Sequence, residues 1–365
     1  MKISEIIDVL EHKAPLFLQE KYDNAGLLTG DPDWECTGVL ITLDTTEPVI
    51  EEAIKKKCNL VISHHPIIFS GIKKITGKNY VERTVIRAIK KDVAIYAIHT
   101  NLDNIKEGVN GKIAELIGLR DLNVLSPKGG LLKKLYTFVP VKNAPEVRQA
   151  IFNAGGGHIG NYSECSFNTS GVGTFKGGEY TNPYAGKAGE LHLEEEMRVE
   201  IIFPAWLEHR IINILIKSHP YEEVAYDVIS LDNKYQAGGS GLVGVLGESE
   251  KENDFLSRLQ EVFNTRVIRH TRLRSKPVSK VAVCGGSGSF LISNALAAGA
   301  DFFISADIKY HDFFDAEDKM VLADIGHYES EQFTVNLLQE LLVQKFPTFA
   351  VLKTEVNTNP VNYFH

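Results

Sequence analysis

At 365 residues, with 44% hydrophobic and 24% charged side chains, the chain has an ordinary globular composition and enough length for two or three compact units. A formal net charge of -8 gives no general footing for a polyanion, so nucleic acid is a poor default partner. No apolar stretch reaches the roughly 18 residues needed to span a bilayer, and the opening MKISEIIDVLEHKAP alternates charges, which points to a cytoplasmic protein.

In chain order, the first block to about Leu125 sets short apolar runs (VLITLD, LVISHHPIIF, VAIYAIHTNLD) between amphipathic stretches (EPVIEEAIKKKC, ERTVIRAIKKD). This is a βαβ rhythm, and it predicts an α/β domain with a parallel-rich sheet and helices on both faces. From about Gly130 to Leu231 the texture changes to strand, helix, two strands, helix and strand (LLKKLYTFVP, PEVRQAIFNAG, NYSECSFNTSGVGTF, MRVEIIFP, WLEHRIINILIKSHP, EEVAYDVISL). That order predicts an inserted ferredoxin-like α+β domain, bounded at 129–235. The α/β rhythm resumes after the Gly-rich QAGGSGLVG, so 1–128 and 236–365 are expected to form one domain together. The basic run Arg266 to Lys280 reads as a solvated strand and linker. Cys36, Cys58, Cys165 and Cys284 are scattered without metal-type spacing and read as reduced core thiols.

Chemistry concentrates at strand ends. His64 and His65 leave the apolar run LVIS directly before Pro66, at the carboxyl edge where open α/β sheets bind ligands. Asp103 and His99 follow the next apolar run, with Asp103 offering a hard oxygen and His99 expected to orient neighbours rather than ligate. His327 and Glu331 sit four residues apart at a strand-to-helix turn, which stacks them on one helix face. His64, His65, Asp103, His327 and Glu331 are too many donors for one closed tetrahedral site and suit two divalent ions with open positions. Cys284 to Phe290 (CGGSGSF) is a Gly-Ser turn that suits either a phosphate or a tight connection, and Asp307 and His311 are candidates for substrate binding or proton transfer.

The motifs SHHPIIF, HTNLD, CGGSGSF, ADIKYHD and DIGHYESE together resemble the Nif-three-like family, also named GTP cyclohydrolase I type 2 homologues, in its longer form with a PII- or CutA-like insertion. The resemblance implies two divalent cations per subunit, zinc first, with manganese, iron, cobalt or nickel as alternatives. Carried onto this chain, it makes His65 and Asp103 ligands of one ion, His64 and His327 ligands of the other, and Glu331 the bridge. It also implies a ring-shaped homohexamer. The donor set itself suits a metal-dependent hydrolase acting on a nucleotide-like or phosphorylated small molecule, with Glu331, His311 and Asp307 as catalytic candidates. The alternative is a non-catalytic metal- or ligand-sensing scaffold.

Overall fold

Val39–Thr42, Leu60–Ser63 and Ala94–Ala97 are buried at every position in the computed structural model, which describes residues 1–364. Strands buried on both faces belong inside a parallel sheet, and these three pair in parallel with Thr42 beside Ser63 and Ser63 beside Ala97. The shared register brings Asp44, His64, His65 and His99 out at one edge.

Two units divide the chain, Met1–Ser126 with Ala237–His365, and Pro127–Gln236. The outer blocks build two sheets rather than one. In the first, a five-stranded sheet, Val351–Lys353, Val39–Thr42, Leu60–Ser63 and Ala94–Ala97 run parallel, and Gly26–Thr29 closes the edge antiparallel. Helices Glu47–Lys56 and Tyr80–Lys90 cover one face, packing Val49, Ile50, Val85 and Ala88 on Leu40, Val61 and Ile95. Helix Ile3–Lys13 lies on the other, where the Tyr96 hydroxyl donates to Glu11 at 3.3 Å.

The second sheet has six strands, in the order Arg269–His270, Val321–Asp324, Phe302–Ala306, Pro277–Ser287, Tyr235–Lys251 and Leu119–Lys128. Its middle three are parallel; Arg269–His270 and Tyr235–Lys251 pair antiparallel with their neighbours. Helix Ile292–Ala297 buries Ile292 and Ala295 over one face, and Phe255 of helix Glu252–Phe263 meets Phe302 edge-on at 5.0 Å on the other. Part of the basic run is therefore structured: Arg269 reaches the Ile308 carbonyl at 3.0 Å and also binds Asp324. Cys36, Cys58 and Cys284 are buried free thiols, while Cys165 is partly exposed.

In the other unit, four antiparallel strands order as Phe167–Lys176, Leu191–Pro204, Leu132–Pro140 and Tyr226–Leu231. Helices Ala144–Asn153 and Glu208–Ser218 cover one face, burying Val147, Ile151, Ile211 and Leu215 against Leu135, Val199, Ile201 and Phe203. By strand alternation Tyr136, Phe138, Glu196 and Arg198 take the opposite face.

Candidate metal centre

The carboxyl ends of the two parallel strand sets in the first unit meet side chain to side chain. Glu331 lies at the centre, 3% exposed, on the short helix His327–Glu331 that follows Val321–Asp324. Its Oε2 is 2.9 Å from His65 Nε2 and 3.1 Å from His327 Nε2, while Oε1 is 3.8 Å from His64 Nε2. His64 Nε2 stands 3.6 Å from Asp103 Oδ1, and His65 and His327 bring their Nε2 atoms to 3.4 Å.

Each imidazole is held from behind. His64 Nδ1 donates to the Ile98 carbonyl at 2.8 Å, His65 Nδ1 to Asp44 at 2.7 Å, and His327 Nδ1 to Asp307 at 2.6 Å. His99 is bound in the same way by Asp23 at 2.7 Å. A partner on Nδ1 fixes the ring and aims the Nε2 lone pair inward, an arrangement typical of histidines that ligate metals. His64 Nε2 and Asp103 Oδ1 are buried without any hydrogen-bond partner among the described residues. Leaving both orphaned costs free energy that a cation between them would offset, so the donor set fits a divalent ion.

Charge follows the same geometry. Burial opposes charge on His65, but hydrogen bonds with Asp44 and Glu331 outweigh it and push it up to about 10. His327 rises to about 11 against its burial, through the charge of Glu331 and the bond with Asp307. Burial and the neighbouring charge of Glu331 raise the Asp103 carboxyl well above the usual range. Glu331 is held well below it despite burial, chiefly by His327. Burial lowers His64, so its Nε2 stays a free lone pair. An imidazole must be neutral to ligate, and a cation entering here exchanges with protons on His65 and His327.

Three sets of donors come within 4.8 Å of one another: His64, Asp103 and Glu331; His65, His327 and Glu331; and His64, His65 and His99. The five residues singled out in the sequence are thus brought together. Their grouping differs from the pairing that the resemblance implied, with His64 beside Asp103 and His65 beside His327. Adjacent residues leaving a strand diverge, which turns His65 toward the second sheet and leaves His64 over the first. His99 joins the donors it was expected only to orient. Asp307 is present, behind His327. His311 is not: it is exposed in the turn Tyr310–Ala316, against Phe314, and is absent from the lining of the cleft.

Two amides of the glycine turn are taken up within the protein. Gly285 N–H donates to Asn110 and Gly286 N–H to Ser330, so neither amide is free. Gly286 adopts φ +59°, and a Cβ there would sit 2.4 Å from Glu331 Oε1. The turn makes room for the central carboxylate.

Asp44, Asp23 and the chain end were not singled out as site residues in the sequence. Asp44 ends VLITLD level with His65, by extension of the strand register, a readable signal. Asp23 sits in an irregular segment with none. Thr358 donates to Asp44 at 2.8 Å, and Asn359, Val361 and Tyr363 line a cleft of about 770 Å³ that also takes in His65, Asp103, His327, Glu331 and the rings of Tyr22 and Phe69, with His64 fully buried behind it. Asp44→Asn keeps the shape but weakens the hold on His65, so divalent-metal affinity is expected to fall about 10 to 100-fold. Calorimetric titration measures it, and unchanged affinity would remove Asp44 from the account.

A family model described as Duf34/NIF3 (NGG1p interacting factor 3) matches residues 1–360. The chain is 39% identical to a protein of Halalkalibacterium halodurans named GTP cyclohydrolase 1 type 2 homolog, over 100% of both chains. It is 36% identical to the Bacillus subtilis protein of the same name, over 98% of both. Among solved structures, a Bacillus cereus protein described as related to NIF3 superposes with a TM-score of 0.86 at 37% identity, covering 100% of this chain and 99% of that one. No helix among the described residues is long and apolar enough to cross a membrane.

Proposed function

The chain belongs to the Duf34/NIF3 family, and from that premise we propose that it binds two divalent cations and acts as a metal-dependent hydrolase on a nucleotide-like or phosphorylated small molecule. The observation that carries the reading is the buried pair His64 Nε2 and Asp103 Oδ1, without partners and facing Glu331. His64, Asp103 and Glu331 would hold one ion, and His65, His327 and Glu331 the other. Bound there, the ions supply Lewis acidity that stabilises negative charge developing on a reacting oxygen.

The protein's own groups act around them. Asp44, Asp307 and the Ile98 carbonyl keep each Nε2 turned inward. Glu331 contributes one oxygen to each set of donors, which suits a carboxylate shared between two cations. Asp307, half-exposed and bonded to His327, is placed to move a proton at the edge of the cleft. The aromatic rings of Tyr22 and Phe69 offer a surface for a planar base.

Zinc is the first candidate among ions that accept mixed imidazole and carboxylate ligands. The strand order of Pro127–Gln236 supports classing that unit as a ferredoxin-like insertion, and a ring-shaped homohexamer in the cytoplasm completes the proposal. The test is turnover of a panel of nucleoside triphosphates and phosphate esters by metal-loaded protein, beside His64→Ala. Metal-dependent turnover lost in the variant is expected. No turnover of any member at saturating metal would instead favour a sensing or scaffold protein.

A further inference from the structure

On the open face of the four-stranded sheet, strand Phe167–Lys176 places Thr169, Gly171, Gly173 and Phe175 in one row, opposite Arg198, Glu196, Glu194 and His192 of the next strand. Two glycines in that row remove the side-chain layer where the row passes Glu196. A bay of about 600 Å³ results, within the size range of small-molecule sites. Phe138, Phe175, Tyr184 and Tyr221 line it. The rings of Phe175 and Tyr184 each lie 6.0 Å from that of Tyr221.

Glu196 lines the same bay and is only 8% exposed. Its Oε1 accepts from the Tyr221 hydroxyl at 2.7 Å, and its Oε2 has no hydrogen-bond or ion-pair partner among the described residues. That oxygen sits over Gly173, 2.1 Å from where a Cβ would be, so the glycine is what admits it. Of the cations at the bay, Arg198 lies over Tyr136 at 4.5 Å and pairs with Glu200 at 3.2 Å, Lys142 lies over the Tyr184 ring at 4.9 Å, and Lys176 lines the bay at the end of its strand; among the described residues none is ion-paired with Glu196. A buried carboxylate with one free oxygen among aromatic rings selects an organic cation, through charge-assisted hydrogen bonding and cation–π attraction.

We propose that this bay is a second binding site, separate from the metal centre, for a small amine that carries its ammonium on an apolar or aromatic body. The ammonium donates to Glu196 Oε2, and the body packs among Phe175, Tyr184 and Tyr221. The probe is 2-phenylethylamine, titrated into the full-length protein by calorimetry beside the neutral 2-phenylethanol and the anionic 3-phenylpropanoate. Saturable binding of the amine alone is expected. Glu196→Gln keeps the Tyr221 contact but removes the charge, and is expected to weaken binding about tenfold or more. Gly171→Leu fills the bay from a position whose Cβ meets nothing within 4 Å, and is expected to abolish binding without unfolding the chain. His64→Ala should bind the amine as the native protein does. No saturable binding, equal binding of the alcohol, or undiminished binding by Glu196→Gln or Gly171→Leu would overturn the proposal.

Discussion

Glu331→Gln is expected to lose tight binding of both divalent ions together, by more than the roughly 100-fold that removal of a supporting residue typically costs. Glu331 is the one residue common to both sets of donors that join His64 with Asp103 and His65 with His327. Glutamine keeps the shape but removes the negative charge that compensates repulsion between two cations. It also weakens the hold on the neighbouring imidazoles, since the carboxylate Oε2 contacts both His65 and His327. His99→Ala should do less. His99 shares a donor set with His64 and His65 only, and its own ring is tethered to Asp23. Metal titrations of the two variants give the comparison. Two tightly held ions in Glu331→Gln, with one lost in His99→Ala, would redraw the site around His99.

Gly286→Ala is expected to damage the centre from outside the donor set. At φ +59° an alanine incurs roughly 1–2 kcal/mol of left-handed strain, and its Cβ would lie 2.4 Å from Glu331 Oε1 and 3.3 Å from His327 Cε1. The carboxylate must swing away, so metal binding should fall with it. Gly118→Ala separates the two effects, because Gly118 has φ +71° but open space around it. Both variants should lose about 1 kcal/mol or more of stability in thermal unfolding, and only Gly286→Ala should lose metal. Equal metal content in the two would show that Glu331 tolerates the crowding.

The sequence made the parallel strands legible because Leu60–Ser63 and Ala94–Ala97 are buried on both faces and therefore read as unbroken apolar runs. The same runs marked the strand ends that carry His64, His65 and Asp103. Gly26–Thr29 left no such trace: it is four residues long, half-buried in the middle and at a sheet edge. Tyr235–Lys251 was masked by its glycines, which read as a connection. Gly244 is required there because a Cβ would lie 2.7 Å from the Arg120 carbonyl, a tertiary contact that local pattern cannot register. In the site, adjacency of His64 and His65 could signal divergence but not direction, so the grouping of donors needed the second sheet. His311 lies outside the cleft for a related reason. Sequence placed it after a strand end, but the turn Tyr310–Ala316 carries it outward.

The central claim is that the buried donors form a two-ion centre. Elemental analysis of full-length protein, loaded with zinc and freed of excess by dialysis, tests it most directly. About two ions per chain are expected, falling to none held tightly in Glu331→Gln. One ion or fewer per fully loaded chain would contradict the account.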